Sequence, residues 1–297
     1  MEYLLIPLLC ILASTKVTIQ SRFSKTGHSG RIQSIFFNGI IFCVGALILL
    51  PTIFDGPLNQ YTLIFGCING VMSFVFQFFY ITAFGRGKMS ITVIIANFNM
   101  LIPMLLSVAF FGESFGPLKI VATILVLIAV VLTVKDDPEK NGAGSDARKF
   151  DWAWLGCTLL AFFSGGIATF AQKWYSATVA GNDFQVLEFV AISYTTATIL
   201  SLIMIGLFGR KEKKINLKPS RSVIISACIA GLVLGAFQCV YTYAPSVLEA
   251  TVLYPVYHCA SSLMLTVVGV LLFKEKCCTR QYIGIGVGVV AITMLCL

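Results

Sequence analysis

Phe76-Gln77-Phe78-Phe79-Tyr80-Ile81-Thr82-Ala83 returns 161 residues later as Phe237-Gln238-Cys239-Val240-Tyr241-Thr242-Tyr243-Ala244. Phe, Gln, Tyr and Ala hold the same places in both copies. The same offset pairs Cys67 with Cys228 and Gly70 with Gly231. With one residue of slip, Phe111-Gly112-Glu113 pairs with Phe273-Lys274-Glu275, and upstream Gln20 pairs with Gln172 at an offset of 152. Self-similarity at a long spacing marks an internal duplication, and the drifting offset marks a small insertion. The copies are residues 1–134 and 152–297, joined by a hydrophilic linker at 135–151.

Both copies suit lipid. Of 297 residues, 58% are apolar and 11% charged, where a soluble domain has roughly a quarter charged. A mean hydropathy of +0.90 excludes soluble enzymes, nucleic-acid binders and disordered scaffolds. A transmembrane helix needs about 20 mostly apolar residues. Ten segments meet or approach this: 3–21, 32–54, 61–84, 89–111, 117–134, 152–174, 184–208, 222–244, 250–273 and 279–297. Turn-rich or polar stretches separate them, including Asp55-Gly56-Pro57, Gly85-Arg86-Gly87-Lys88 and the basic loop 209–222. These long unbroken runs exclude the short alternating strands of a β-barrel. The first segment does not read as a typical signal peptide, because it lacks a basic start and Lys16 interrupts its apolar run.

Basic residues are distributed unevenly. Counted together with adjoining helix-end residues such as Arg280, loops 1–2, 3–4, 5–6, 7–8 and 9–10 hold 3, 2, 4, 6 and 3 Lys or Arg, 18 in all, while the other loops hold only Lys119. The positive-inside rule places the basic loops in the cytoplasm and both termini outside; the expected location is a bacterial-type plasma membrane. The net charge of +8 therefore sets orientation, and its partner is the lipid bilayer rather than nucleic acid. Each copy has five segments, an odd number, so the second copy enters the membrane from the opposite side. Equivalent loops should then differ in charge. Loop 1–2 has three basic residues against none in loop 6–7, and loop 2–3 has none against six in loop 7–8. The expected fold is an all-α polytopic membrane protein of ten transmembrane helices arranged as two inverted five-helix repeats. Such repeats build secondary transporters, with the substrate near the midplane.

The chain resembles an EamA-type member of the drug/metabolite transporter superfamily over its whole length. The resemblance rests on the duplicated five-helix plan. It also rests on an apolar helix ending in glutamate, then a short turn and a Gly/Ala-rich last helix: Phe111-Gly112-Glu113 with 117–134, and Phe273-Lys274-Glu275 with 279–297. It implies transport. The family includes exporters of amino acids and metabolites, nucleotide-sugar and sugar-phosphate exchangers, and drug pumps. Characterised ten-helix members usually keep both termini in the cytoplasm, and the charge bias here points the other way.

Charges at membrane depth are costly and mark function by default. Lys16 in the first segment could bind a carboxylate or phosphate, or snorkel to the interface beside Arg22. Small multidrug relatives carry a carboxylate in this helix, so a lysine tilts the reading from lipophilic cations toward anionic or zwitterionic cargo. Glu188 in the seventh segment is the proton-coupling candidate, with a hydrated helix end as its bland alternative. Lys173 beside Trp174 reads as an interface anchor. Glu113 and Glu275 read as caps of the helices that follow them.

Gln77 with Tyr80, and their mates Gln238 with Tyr241, share a helix face at i and i+3 and could bind substrate or bond between helices. Asn97 and Asn99 in the fourth segment, and Tyr254, Tyr257 and His258 in the ninth, are pocket or gate candidates at equivalent depth. Gly66/Gly70, Gly231/Gly235 and Gly284, Gly286 and Gly288 read as close-packing faces.

The ten cysteines show no paired spacing, so neither a disulfide framework nor a zinc site is indicated, and no cofactor or metal is implied. The leading expectation is a secondary active transporter of a small organic metabolite, favouring an amino acid or organic anion, working as a monomer or homodimer. The alternative is a multidrug or lipid-headgroup exporter, which 24 Phe and 10 Tyr would suit. From another class, a membrane-embedded enzyme would need clustered acid, base or metal ligands, and a receptor or scaffold would not need the repeat.

Overall fold

The computed structural model describes residues 4–25, 31–54, 56–86, 92, 95–133, 152–179, 184–209, 221–273 and 279–295. The linker 135–151, most of loop 209–222 and Glu275 lie outside the described residues. Every regular element described is helical, as a lipid-embedded backbone requires, because each N–H and C=O must be paired without water. The α-helices are α1 (Leu5–Lys25), α2 (Arg31–Leu49), α3 (Gln60–Arg86), α4 (Leu101–Phe111), α5 (Pro117–Thr133), α6 (Trp152–Thr178), α7 (Val186–Gly209), α8 (Arg221–Val247), α9 (Ala250–Phe273) and α10 (Thr279–Leu295). They match the apolar segments read from the sequence, except that α4 covers only the last part of the fourth. Ile35–Phe54, Gln60–Tyr80, Trp152–Thr178, Val186–Leu207 and Ile224–Val247 are long and apolar enough to cross a bilayer. Leu5–Lys16, Ile95–Phe111, Pro117–Leu132 and Thr279–Leu295 are shorter apolar helices. Leu105, Ile124, Leu202 and Ile203 are exposed, as side chains on a lipid-facing surface would be.

The chain forms two compact units, and each interleaves the two repeats. One, the α5–α10 unit, comprises Met1–Cys10, Phe79–Phe170 and Leu248–Leu297. The other, the α2–α7 unit, comprises Ile11–Phe78 and Ala171–Val247. Repeat mates pack on each other inside the units: α5 on α10 and α4 on α9 in the first, α2 on α7 in the second. Phe42 and Tyr194, 152 apart like Gln20 and Gln172, meet edge to face with ring centres 5.6 Å apart.

The inverted symmetry holds at atomic detail in the α2–α7 unit. A Cβ added at Gly70 would collide with the Ser193 carbonyl and lie 2.8 Å from Thr196 Cβ. One added at its mate Gly231 would lie 2.9 Å from both the Ile41 carbonyl oxygen and Val44 Cβ. Ile41 and Val44 stand 152 residues before Ser193 and Thr196, so the two crossings are copies of one another. Glycine at both lets helix backbones touch, which apolar helices in lipid need because no hydrophobic driving force separates helix from lipid. Ser193 Oγ strengthens one crossing by donating to the Gly66 carbonyl at 3.0 Å.

Two packing expectations need correction. Gly235 and Gly286 have no described atom within 4 Å of an added Cβ, so no close approach is seen at either among the described residues. A Cβ added at Gly288 would lie 3.0 Å from the Cys259 sulfur. The fourth segment is also not one uniform helix. A 3-10 turn at Phe98–Met100 interrupts it before α4. Asn side chains compete with helical backbone bonds, and Pro103 cannot return a hydrogen bond to the Asn99 carbonyl four residues earlier.

Candidate functional site

In the α2–α7 unit, α1 carries Lys16, half-buried and with no hydrogen bond or ion pair to any described residue. Gln77 on α3 and its mate Gln238 on α8 are half-buried in the same way, and their amides make no hydrogen bond among the described residues. Glu188 lies in the first turn of α7, half-buried and without an ion pair among the described residues. An unsatisfied polar group in hydrocarbon costs several kcal/mol. These four side chains find no hydrogen-bond or ion-pair partner among the described residues. Tyr241 is buried and stacks on Phe237, with centres 5.2 Å apart.

In the α5–α10 unit, Asn97 and Asn99 lie at the 3-10 turn of the fourth segment. Asn99 is 9% exposed, and neither it nor Asn97 makes a side-chain hydrogen bond among the described residues. α9 packs against α4 and against this 3-10 turn. His258, 161 residues after Asn97, is half-buried on α9; its carbonyl accepts from Ser261 and Ser262, while no described residue hydrogen-bonds its ring. Tyr257 is buried and meets the His258 ring edge-on at 5.1 Å. Tyr254 is fully buried and its hydroxyl donates to the Thr169 carbonyl at 3.4 Å. A short 3-10 stretch inside a helix often marks a functional hinge. The unit boundary falls after Phe78, so half-buried Tyr80 belongs to this unit and its neighbour Gln77 to the other.

Sequence reasoning missed the break itself, although Asn97-Phe98-Asn99 followed by Pro103 signals it. It also missed buried oxygens on Ser14, Ser107, Gln172 and Thr242, which have no hydrogen-bond partner among the described residues. Only Gln172 carried a signal, as the mate of Gln20.

Two charged residues have roles other than those expected. Lys173 is not an interface anchor. α6 continues to Thr178, Lys173 is 8% exposed, and its ammonium donates to the Pro245 carbonyl at 3.1 Å. It thereby satisfies the C-terminal end of α8, where carbonyls lack helical partners and the helix dipole favours a cation. Glu113 is a cap, but of α9 rather than of the α5 that follows it. Its carboxylate accepts from the Ala250 and Thr251 amides at 3.0 and 2.9 Å. Gly112 in the left-handed conformation, with φ of 64°, turns the chain just before it. Lys119 adds an ion pair to Glu249 at 2.5 Å.

A family model described as "EamA-like transporter family" matches residues 4–135 and 152–297. A solved structure described only as "Crystal structure of protein" is 16% identical and superposes with a TM-score of 0.75, covering 99% of this chain and 95% of that one. At that identity the likeness is one of fold. No curated protein matches the chain.

Proposed function

The chain belongs to the EamA-like transporter family of the drug/metabolite transporter superfamily, and from that premise we propose that it is a secondary active transporter of a small organic metabolite, working by alternating access. An amino acid or organic anion is the favoured cargo. Lys16 carries this choice: it is an ammonium within an apolar helix, with no carboxylate partner among the described residues. Such a group attracts a carboxylate strongly where water is scarce.

Within the α2–α7 unit, Lys16 holds the anionic group, Gln77 and Gln238 hydrogen-bond polar atoms, and Tyr241 offers an aromatic wall. Within the α5–α10 unit, Asn97, Asn99 and His258 supply neutral donors and acceptors, with Tyr80 and Tyr257 beside them. Glu188 is the carboxylate that takes up and releases the coupled proton.

Counterflow tests this directly. Proteoliposomes loaded with unlabelled amino acids and organic acids are expected to accumulate the matching radiolabelled compound above protein-free vesicles. Equal uptake in both across the whole panel would sink the reading. The basic-loop bias supports a topology with both termini outside. A C-terminal fusion to an enzyme active only outside the cytoplasm should therefore report strongly. Activity only from a cytoplasmic reporter would reverse the orientation.

A further inference from the structure

One end of the α2–α7 unit is held by a hydrogen-bonded clasp centred on Tyr175. The Tyr175 ring is fully buried and stacks on Phe189, with centres 4.7 Å apart and planes at 17°. Its hydroxyl donates to the Gln185 carbonyl at 3.1 Å, accepts from the Gln185 amide at 2.9 Å, and lies 3.0 Å from Thr62 Oγ1. Thr62 also donates to Gln185 Oε1 at 3.1 Å. The same oxygen accepts from the Asn59 amide at 3.0 Å, and Gln185 Nε2 donates to the Pro57 carbonyl at 2.9 Å. The end of α6, the residue before α7, the start of α3 and the chain leading into α3 are thus tied together. Mutually polarising bonds around a buried hydroxyl strengthen one another.

The repeat shows which parts of this clasp are duplicated. The offset of 152 that relates Ile41 to Ser193 also relates Phe23 to Tyr175, Phe37 to Phe189 and Gln33 to Gln185. The offset of 161 that relates Gly70 to Gly231 relates Thr62 to Val223. The aromatic pair and the glutamine are therefore present twice, and the two hydroxyls once. The other unit repeats the pattern. Lys119 and Glu249 form an ion pair, while their mates at offsets of 162 and 161, Gln281 and Lys88, carry no opposite charges. In an inverted repeat that alternates between two conformations, a contact that cannot coexist with its mate gives way to it in the second conformation. A contact whose mate lacks the necessary atoms favours one conformation over the other.

We propose that the Tyr175–Thr62–Gln185 clasp is a one-sided latch that sets the resting conformation, keeping this unit shut at the end bearing Pro57–Asn59 and Gln185. The proposal rests on the alternating-access reading above. Its test needs no substrate, so a failed transport assay and a failed latch are separate results.

Nitroxide labels on non-canonical amino acids at Gly56 and Ala177 leave the native cysteines untouched. Both sites are exposed and outside the clasp. Their distance distribution, measured by pulsed electron resonance, should be dominated by one short population in the otherwise native chain. Tyr175→Phe with Thr62→Val installs the mate residues and should raise a longer-distance population about tenfold, as expected for loss of one or two buried hydrogen bonds. Superimposable distributions would overturn the latch. If that variant does not fold, the reciprocal one decides: Phe23→Tyr with Val223→Thr supplies the two hydroxyls at the mate positions in the sequence. It should raise the longer population in a chain whose own clasp is intact, and an unchanged distribution would overturn the proposal.

Discussion

A valine at position 70 is expected to lower the melting temperature of the detergent-solubilised protein by roughly 10 °C, or to prevent folding altogether. The reason is geometric. A Cβ at Gly70 would meet the Ser193 carbonyl, which is backbone of the facing helix α7 and cannot rotate away like a side chain. Relief requires α3 and α7 to separate, which loses the Ser193–Gly66 hydrogen bond at 3.0 Å along with the packing around it. Overpacking of this kind costs about 3 kcal/mol. Gly231→Val should cost a similar amount, since its added carbon would meet the Ile41 carbonyl 2.9 Å away. Gly235→Val is the control, because no described atom lies within 4 Å of the new carbon, and its melting temperature should stay within a few degrees of the native protein. Equal stability of all three variants would show that the two mate crossings do not hold the unit together.

Replacing Lys16 with methionine is expected to reduce transport about a hundredfold while leaving yield and melting temperature near native. Methionine keeps the length and apolar body of the side chain and removes only the charge. A charge-assisted hydrogen bond to a carboxylate is worth about 3 kcal/mol, which is about a hundredfold in binding. The fold should tolerate the change because no described residue pairs with the Lys16 ammonium. Lys16→Arg should retain part of the activity, since the charge stays but a planar fork replaces a compact ammonium. Full transport by Lys16→Met would remove Lys16 from the site.

The helical plan was legible because lipid imposes a length and composition that a sequence displays openly. The repeat was equally legible, and its offsets carried through to contacts: the pairing of Gly70 with Gly231 predicts which carbonyls face them once one crossing is known. What stayed hidden depends on partners distant in the chain. The role of Lys173 could not be read, because nothing in its neighbourhood reveals that the Pro245 carbonyl, 72 residues on, lies beside it. Glu113 was legible as a cap but not as the cap of α9, since a carboxylate after a helix serves whichever N-terminus the fold brings near. The compact units could not be read as contiguous stretches either, because inverted mates pack on each other and so draw every unit from both halves. For the candidate site, residue types pointed to Lys16, Asn97 and His258. The 3-10 break that sets Asn97 and Asn99 apart from a regular helix was overlooked, because an apolar run of suitable length masks a local interruption.

The central claim is that this chain binds an anionic or zwitterionic metabolite through Lys16. The most direct measurement is a thermal-shift series on the purified protein and on Lys16→Met, against amino acids, organic acids, sugar phosphates, nucleotide sugars and lipophilic cations. A ligand that binds the folded state raises its apparent stability by mass action, about 2.7 kcal/mol at a hundred times its dissociation constant. The account predicts a saturable upward shift with a compound from the anionic or amino-acid classes, and loss of that shift in Lys16→Met. A shift with lipophilic cations alone, equal in both proteins, would contradict it and favour a multidrug exporter.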